Sequence, residues 1–130
     1  MNLKDIVTAR DAAQRLSEKR LASYQKAREV AQLRKAIETE HSFYAQEESK
    51  LIEVYAERGE DGAPAFIDGG RFRLKDKTAA VEYAEEIKKL QNTEITPIAP
   101  VTLCEADFRT PDDFPTAAEM IALESFVIFE

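Results

Sequence analysis

Tryptophan is absent from the 130 residues, and cysteine and histidine occur once each, as Cys104 and His41. A lone cysteine excludes an internal disulfide and fits a reducing, intracellular setting. One histidine with one cysteine is also poor material for a metal cluster or a His-based triad. No apolar run approaches the roughly 20 residues of a membrane span. Asp5 and other regularly spaced charges interrupt the N-terminal stretch, where a signal peptide would be continuously apolar. Glycine (4) and proline (5) are scarce, and neither occurs between Arg20 and Arg58. A long helix is therefore free to form there.

Apolar residues make up 44% and charged residues 33%, the balance of a soluble single domain with a modest core. The net charge of −7 is unevenly spread. Residues 1–58 carry 11 basic and 10 acidic side chains, whereas residues 59–130 carry 7 and 15. Within the first part, Arg10–Lys35 has a net charge of +5; the segment Gln91–Glu130 has Arg109 against eight carboxylates. Such a chain is a charge dipole along its length. The acidic segment is expected to fold over the basic helix and neutralise it. Nucleic acid is a disfavoured partner, because the molecule as a whole is acidic and Tyr24 is the one ring in the basic run.

Asn2 and Asp5 have the spacing of a capping box, and Leu3, Ile6, Ala9, Ala13 and Leu16 follow at helical intervals, so a first helix covers roughly 3–16. A second, roughly 20–58, carries Val30, Ile37, Tyr44 and Leu51 every seven residues, with Leu33, His41, Glu48 and Tyr55 on nearly the same face. That is the narrow apolar seam of a coiled-coil-like helix. It would extend on the order of 55–60 Å, far beyond a 130-residue globule whose radius of gyration is about 14 Å. Ser17 is a candidate cap for this second helix, and a continuous helix over 3–58 is the alternative. Gly59 has the position of a left-handed C′ residue.

Ala65–Ile67 and Arg71–Leu74 flank Asp68-Gly69-Gly70 as a β-hairpin, and Asp76 caps a third helix over 77–91, closed by Asn92. Its inward face is Ala80, Tyr83, Ala84, Ile87 and Leu90. Thr93–Ile98 reads as an extended or edge strand limited by Pro97, and Leu103-Cys104 as a brief strand. Thr116 and Glu119 form a capping box for a short last helix, and Phe126–Phe129 is too apolar for a free tail. The expected fold is α+β and mostly α. A long helix packs with a short N-terminal helix and an amphipathic third helix, beside a small β-hairpin and an irregular acidic C-terminal segment. The expected organisation is one domain over 1–130, in stretches 1–58, 59–92 and 93–130.

The order of these signals, with Tyr-Ala-Glu-Arg-Gly-Glu-Asp-Gly at Tyr55–Gly62, Asn92–Ile95, and Ala122–Phe126, resembles a family of short acidic proteins encoded by bacteriophages and prophages. That family's function is uncharacterised. The relatives carry a proline near the start of the long helix, where this chain has Ala22-Ser23. The resemblance implies a phage or prophage origin and a bacterial host cytoplasm, and it carries over no catalytic residue.

No catalytic, cofactor or metal signature overlies the chain. His41 reads as a seam residue and Cys104 as a small hydrophobe without a basic neighbour to activate it. Asp68-Gly69-Gly70 lacks the lysine and helix of a phosphate loop. Glu105, Asp107, Asp112 and Asp113 lack calcium-loop spacing, and Glu47-Glu48 and Glu85-Glu86 point in different directions on helices. A non-enzymatic interaction or assembly protein is the favoured reading. Its expected interface is the seam Val30, Leu33, Ile37, His41, Tyr44, Leu51 and Tyr55, joining a homo-oligomer, most simply a dimer, or a host or phage protein. The alternative is an acidic inhibitor that imitates nucleic acid to block a host DNA- or RNA-binding enzyme.

Overall fold

The structure, a computed structural model, describes residues 1–67 and 71–130. It is mostly helical α+β. The chain divides into two compact units, Met1–His41 with Glu94–Glu130, and Ser42–Thr93. The division falls inside the long helix, because its two halves pack on different elements.

The first unit begins with α1 (Leu3–Glu18). Asn2 Oδ1 accepts the Asp5 N–H while Asp5 Oδ2 accepts the Asn2 N–H, a reciprocal cap that satisfies two otherwise orphaned donors. Leu3, Ile6, Ala9, Ala12, Ala13 and Leu16 are buried. The following helix, α2 (Tyr24–Tyr55), is separate from α1 and starts four residues later than expected. Ser17 does not cap it; its hydroxyl donates to Gln14 O. The cap is Ser23, whose Oγ accepts the Lys26 N–H and whose carbonyl accepts the Ala27 N–H. The break itself is tertiary in origin. Leu21 bridges Phe108 in antiparallel fashion, with Ala22 N–H on Asp107 O at 2.7 Å and Arg109 N–H on Arg20 O at 3.2 Å. Those bonds are incompatible with helical backbone at residues 20–22.

Two strands complete this unit. β3 (Val101–Leu103) and β4 (Val127–Phe129) pair in parallel, Val101 opposite Val127 and Leu103 opposite Phe129. A parallel pair requires a long crossover, supplied by two short 3₁₀ turns and α4 (Ala117–Ala122), capped by the Thr116–Glu119 box. Within the apolar Phe126–Phe129 stretch Phe126 and Val127 are buried, Phe129 is half-buried and Ile128 is exposed; Thr93–Ile98 forms no strand and contributes the single bridge Asn2–Glu94. Leu103, Leu123 and Phe126 are fully buried, as are Leu3, Ile6, Leu16 and Ile37. The acidic segment does lie against the start of α2, but not through the expected charge pairing. Lys26 Nζ donates to Thr102 O at 2.8 Å and Arg109 Nε to Leu21 O at 3.1 Å. Among the described residues no ion pair joins its carboxylates to Arg15, Lys19 or Arg28. Asp107, Asp113 and Glu119 are instead engaged by Cys104 N–H, the Thr110 hydroxyl and the Thr116 N–H and hydroxyl.

The second unit contains the last part of α2, β1 (Phe66–Ile67), β2 (Arg71–Phe72) and α3 (Lys77–Gln91). β1 and β2 pair antiparallel, Phe66 opposite Phe72; the expected turn at 68–70 lies outside the described residues. Asp76 Oδ1 accepts the Ala79 N–H at 2.7 Å, and Asn92 donates back to Lys88 O and Leu90 O, so α3 has the predicted bounds. α2 ends three residues before the expected Arg58. Its next residues are taken by other chain segments: Glu57 N–H binds Arg73 O, Lys75 N–H binds Tyr55 O and Ala65 N–H binds Glu57 O. Gly59 is consequently not a helix-terminating residue. The positive φ of this loop, +79°, falls on Gly62, where a side chain would be strained.

Candidate functional site

The last four turns of α2 and all of α3 form the helical part of the second unit. Tyr44 and Glu48, one turn apart, face Tyr83 and Gln91 on α3. Burial raises the Tyr44 phenol above its ordinary value; a hydrogen bond with Gln91 opposes this, and the Glu48 carboxylate adds to it. The Tyr83 phenol is raised by burial, then by Glu48 and Tyr44. Both phenols are thereby held neutral beside a carboxylate.

At the end nearer the hairpin, four rings stand edge to face in sequence. Tyr55 and Tyr83 have centroids 6.3 Å apart, Tyr83 and Phe72 5.5 Å, and Phe72 and Phe66 6.4 Å. Such pairs contribute on the order of 1 kcal/mol each. The series is open at its end, since Phe66 is 60% exposed. At the other end, Leu51 and Leu90 floor a shallow groove of about 200 Å³, rimmed by Glu47, Glu86, Lys89 and Thr93. The pairs Lys50–Glu47 (2.7 Å) and Lys89–Glu86 (3.1 Å) lie beside it.

The unit is thinly filled. Among its described residues only Tyr44, Ala56 and Ala79 are buried. The seven largest fully buried side chains among the described residues belong to the other unit. The other unit exposes Val7, Tyr24, Ile121 and Ile128 over a filled interior. Here Phe43 (47%), Val54 (56%), Phe66 and Val81 (58%) are exposed without one.

The seven seam residues fall into two sets. Val30, Leu33 and Ile37 are buried in the first unit, with His41 half-buried after them. Tyr44 is buried in the second unit, and Leu51 and Tyr55 are half-buried. The expected outward interface is thus largely an inward face: four of the seven have no surface left for a partner. The cause is the break at residues 19–23, which lets α1 and the C-terminal segment share a core with the first half of α2. Phe43 and Val54 went unread because they flank the seam. Their signal is spacing: eleven residues is close to three turns, so both lie on one stripe of α2.

The described residues hold no group of three or more His, Cys, Asp or Glu side chains able to bind a metal ion. Cys104 is a half-buried free thiol. No helix among them is long and apolar enough to cross a membrane. A second cleft, about 450 Å³, lies between Lys26, Glu29, Leu33 and the Ile98–Thr102 segment; Lys26 in it is already bonded to Thr102 O and paired with Glu29 at 3.6 Å. Comparison with known protein families, curated proteins and solved structures finds no match. What the second unit offers is apolar and aromatic surface flanked by ion pairs.

Proposed function

We propose that this chain is a non-catalytic interaction or assembly protein that works by helix-mediated association, most simply with a second copy. The observation that carries the reading is the thin interior of the second unit. That unit leaves Phe43, Val54, Phe66 and Val81 exposed to water while burying only Tyr44, Ala56 and Ala79 among the described residues. A small unit of this size gains little from its own core, and exposed apolar side chains such as Phe43 and Val54 on one stripe of α2 favour association. A phage or prophage origin and a bacterial cytoplasmic setting rest on the resemblance at Tyr55–Gly62, Asn92–Ile95 and Ala122–Phe126. Sedimentation equilibrium over a wide concentration range tests the reading. A mass that climbs from one chain towards two supports it, and a single-chain mass throughout removes it.

A second reading is the acidic inhibitor that imitates nucleic acid. It draws on Glu105, Asp112, Glu124 and Glu130, which are exposed and form no ion pair with a described residue. It is weakened by Asp107, Asp113 and Glu119, whose oxygens are engaged locally. Binding to a basic nucleic-acid enzyme that falls steeply with salt is its test.

A further inference from the structure

The exposed stripe of α2 contains its own complement. Phe43, Glu47, Lys50 and Val54 follow at spacings of four, three and four, the repeat that keeps residues on one seam of a paired helix. Phe43, Lys50 and Val54 are clear of the Tyr44–Glu48–Leu51–Tyr55 face that turns towards α3, and Glu47 stands at its edge, on the rim of the Leu51–Leu90 groove. Phe43 and Val54 are exposed, the Lys50 side chain is 71% exposed, and Glu47 is the half-covered member, paired to Lys50 at 2.7 Å.

The order along the stripe is apolar, acidic, basic, apolar, and it is symmetric about the midpoint between Glu48 and Ser49. Reversing a second helix about that point sets Phe43 against Val54 of the other copy and Glu47 against its Lys50, twice each. In an antiparallel pair the first type of seam position does meet the second across the interface, so the match is one of register as well as of chemistry. The symmetric overlap runs from residue 42 to residue 55, about 21 Å of helix, which is the part of α2 that belongs to the second unit.

The geometry points to an isologous, antiparallel homodimer in which Phe43, Glu47, Lys50 and Val54 of α2 dock on the same stripe of a second copy. This rests on the association reading above and adds its face, direction and symmetry. A two-fold contact is closed, so assembly through it stops at two chains. Four turns of one helix per copy make a small interface, and the dimer is accordingly weak and exchanges readily. Charge matching sets the direction. A parallel pair in the same register would face Glu47 with Glu47 and Lys50 with Lys50, and like charges facing across an interface are strongly unfavourable.

Charge exchange tests this without disturbing the core, since both side chains are at the surface. Glu47→Lys alone sets lysine against Lys50 of the other copy at two places, and Lys50→Glu alone sets glutamate against Glu47. Each variant, checked for unchanged helicity, is expected to raise the dimer dissociation constant by at least about tenfold. An equimolar mixture of the two restores both ion pairs in a heterodimer, and the double variant Glu47→Lys/Lys50→Glu restores them in a homodimer. Sedimentation of the two single variants and their mixture, one of them fluorescently labelled, reads all of this. Wild-type chains that dimerise while both single variants dimerise equally well overturn the stripe and leave the association reading standing. Variants that weaken the dimer without recovery in the mixture overturn the antiparallel register. A wild-type chain that stays monomeric overturns both.

Discussion

Replacing Ile37 and Leu51 separately by alanine distinguishes an inward seam from an outward one. Ile37 is fully buried in the first unit, whereas Leu51, two heptads along, is half-buried in the second. Each substitution removes three carbons. At about 0.8 kcal/mol per buried methylene, the transfer loss at Ile37 is about 2.4 kcal/mol. Incomplete collapse of the cavity takes the total to about 3–4 kcal/mol. At Leu51 water already reaches part of the side chain and can fill the space left, so the cost is about 1–1.5 kcal/mol. Urea unfolding followed by far-UV circular dichroism suits a chain without tryptophan. With a slope of about 1.5 kcal/mol per molar, Ile37→Ala lowers its midpoint by about 2–2.7 M and Leu51→Ala by about 0.7–1 M. A loss below about 1 kcal/mol at Ile37 would refute the reasoning, because Ile37 would then have to face solvent or a partner rather than the interior.

Thr116→Ala removes the hydroxyl that accepts the Glu119 N–H in the α4 capping box, leaving the Thr116 N–H on Glu119 Oε1, and is expected to cost about 1 kcal/mol, read as a lower thermal midpoint that Thr116→Ser largely recovers. Burial raises the phenols of Tyr44 and Tyr83 above 10.0. Their contribution to stability is therefore complete below that value and is lost as pH rises through the folded values, because the unfolded chain releases its phenolic protons first. Tyr83→Phe should make the alkaline loss of helicity shallower, and an unchanged slope would contradict this placement. Arg10 Nε and Glu38 Oε1 are 3.3 Å apart, each side chain more than one-third exposed, so Arg10→Ala should cost under about 1 kcal/mol, and less still at high salt.

What could be read from the sequence acts over three or four residues. The caps at Asn2, Asp76 and Thr116 are of this kind, because a side-chain oxygen near a helix end has its partner fixed by local geometry, and at Asn92 the backbone N–H closes the last turn. The mostly helical α+β class and the seam periodicity were legible for the same reason. The parallel pairing of Val101–Leu103 with Val127–Phe129 was not, since two three-residue strands about 25 positions apart carry no mutual signal. The break at residues 19–23 depends on Phe108 and Asp107 finding Leu21 and Ala22, and the early end of α2 depends on Arg73 and Ala65 claiming the backbone of Glu57. The candidate site follows from those events. Once the first half of the seam is consumed as core, the stripe through Phe43 and Val54 becomes the outward face, which periodicity alone assigns to solvent.

Amide hydrogen exchange measured at low and high protein concentration tests association through the second unit most directly. Protection is expected to rise with concentration across residues 42–55 of α2, while α1 exchanges at the same rate in both samples. Exchange in 42–55 that is independent of concentration, or added protection confined to α1 or β4, would contradict it.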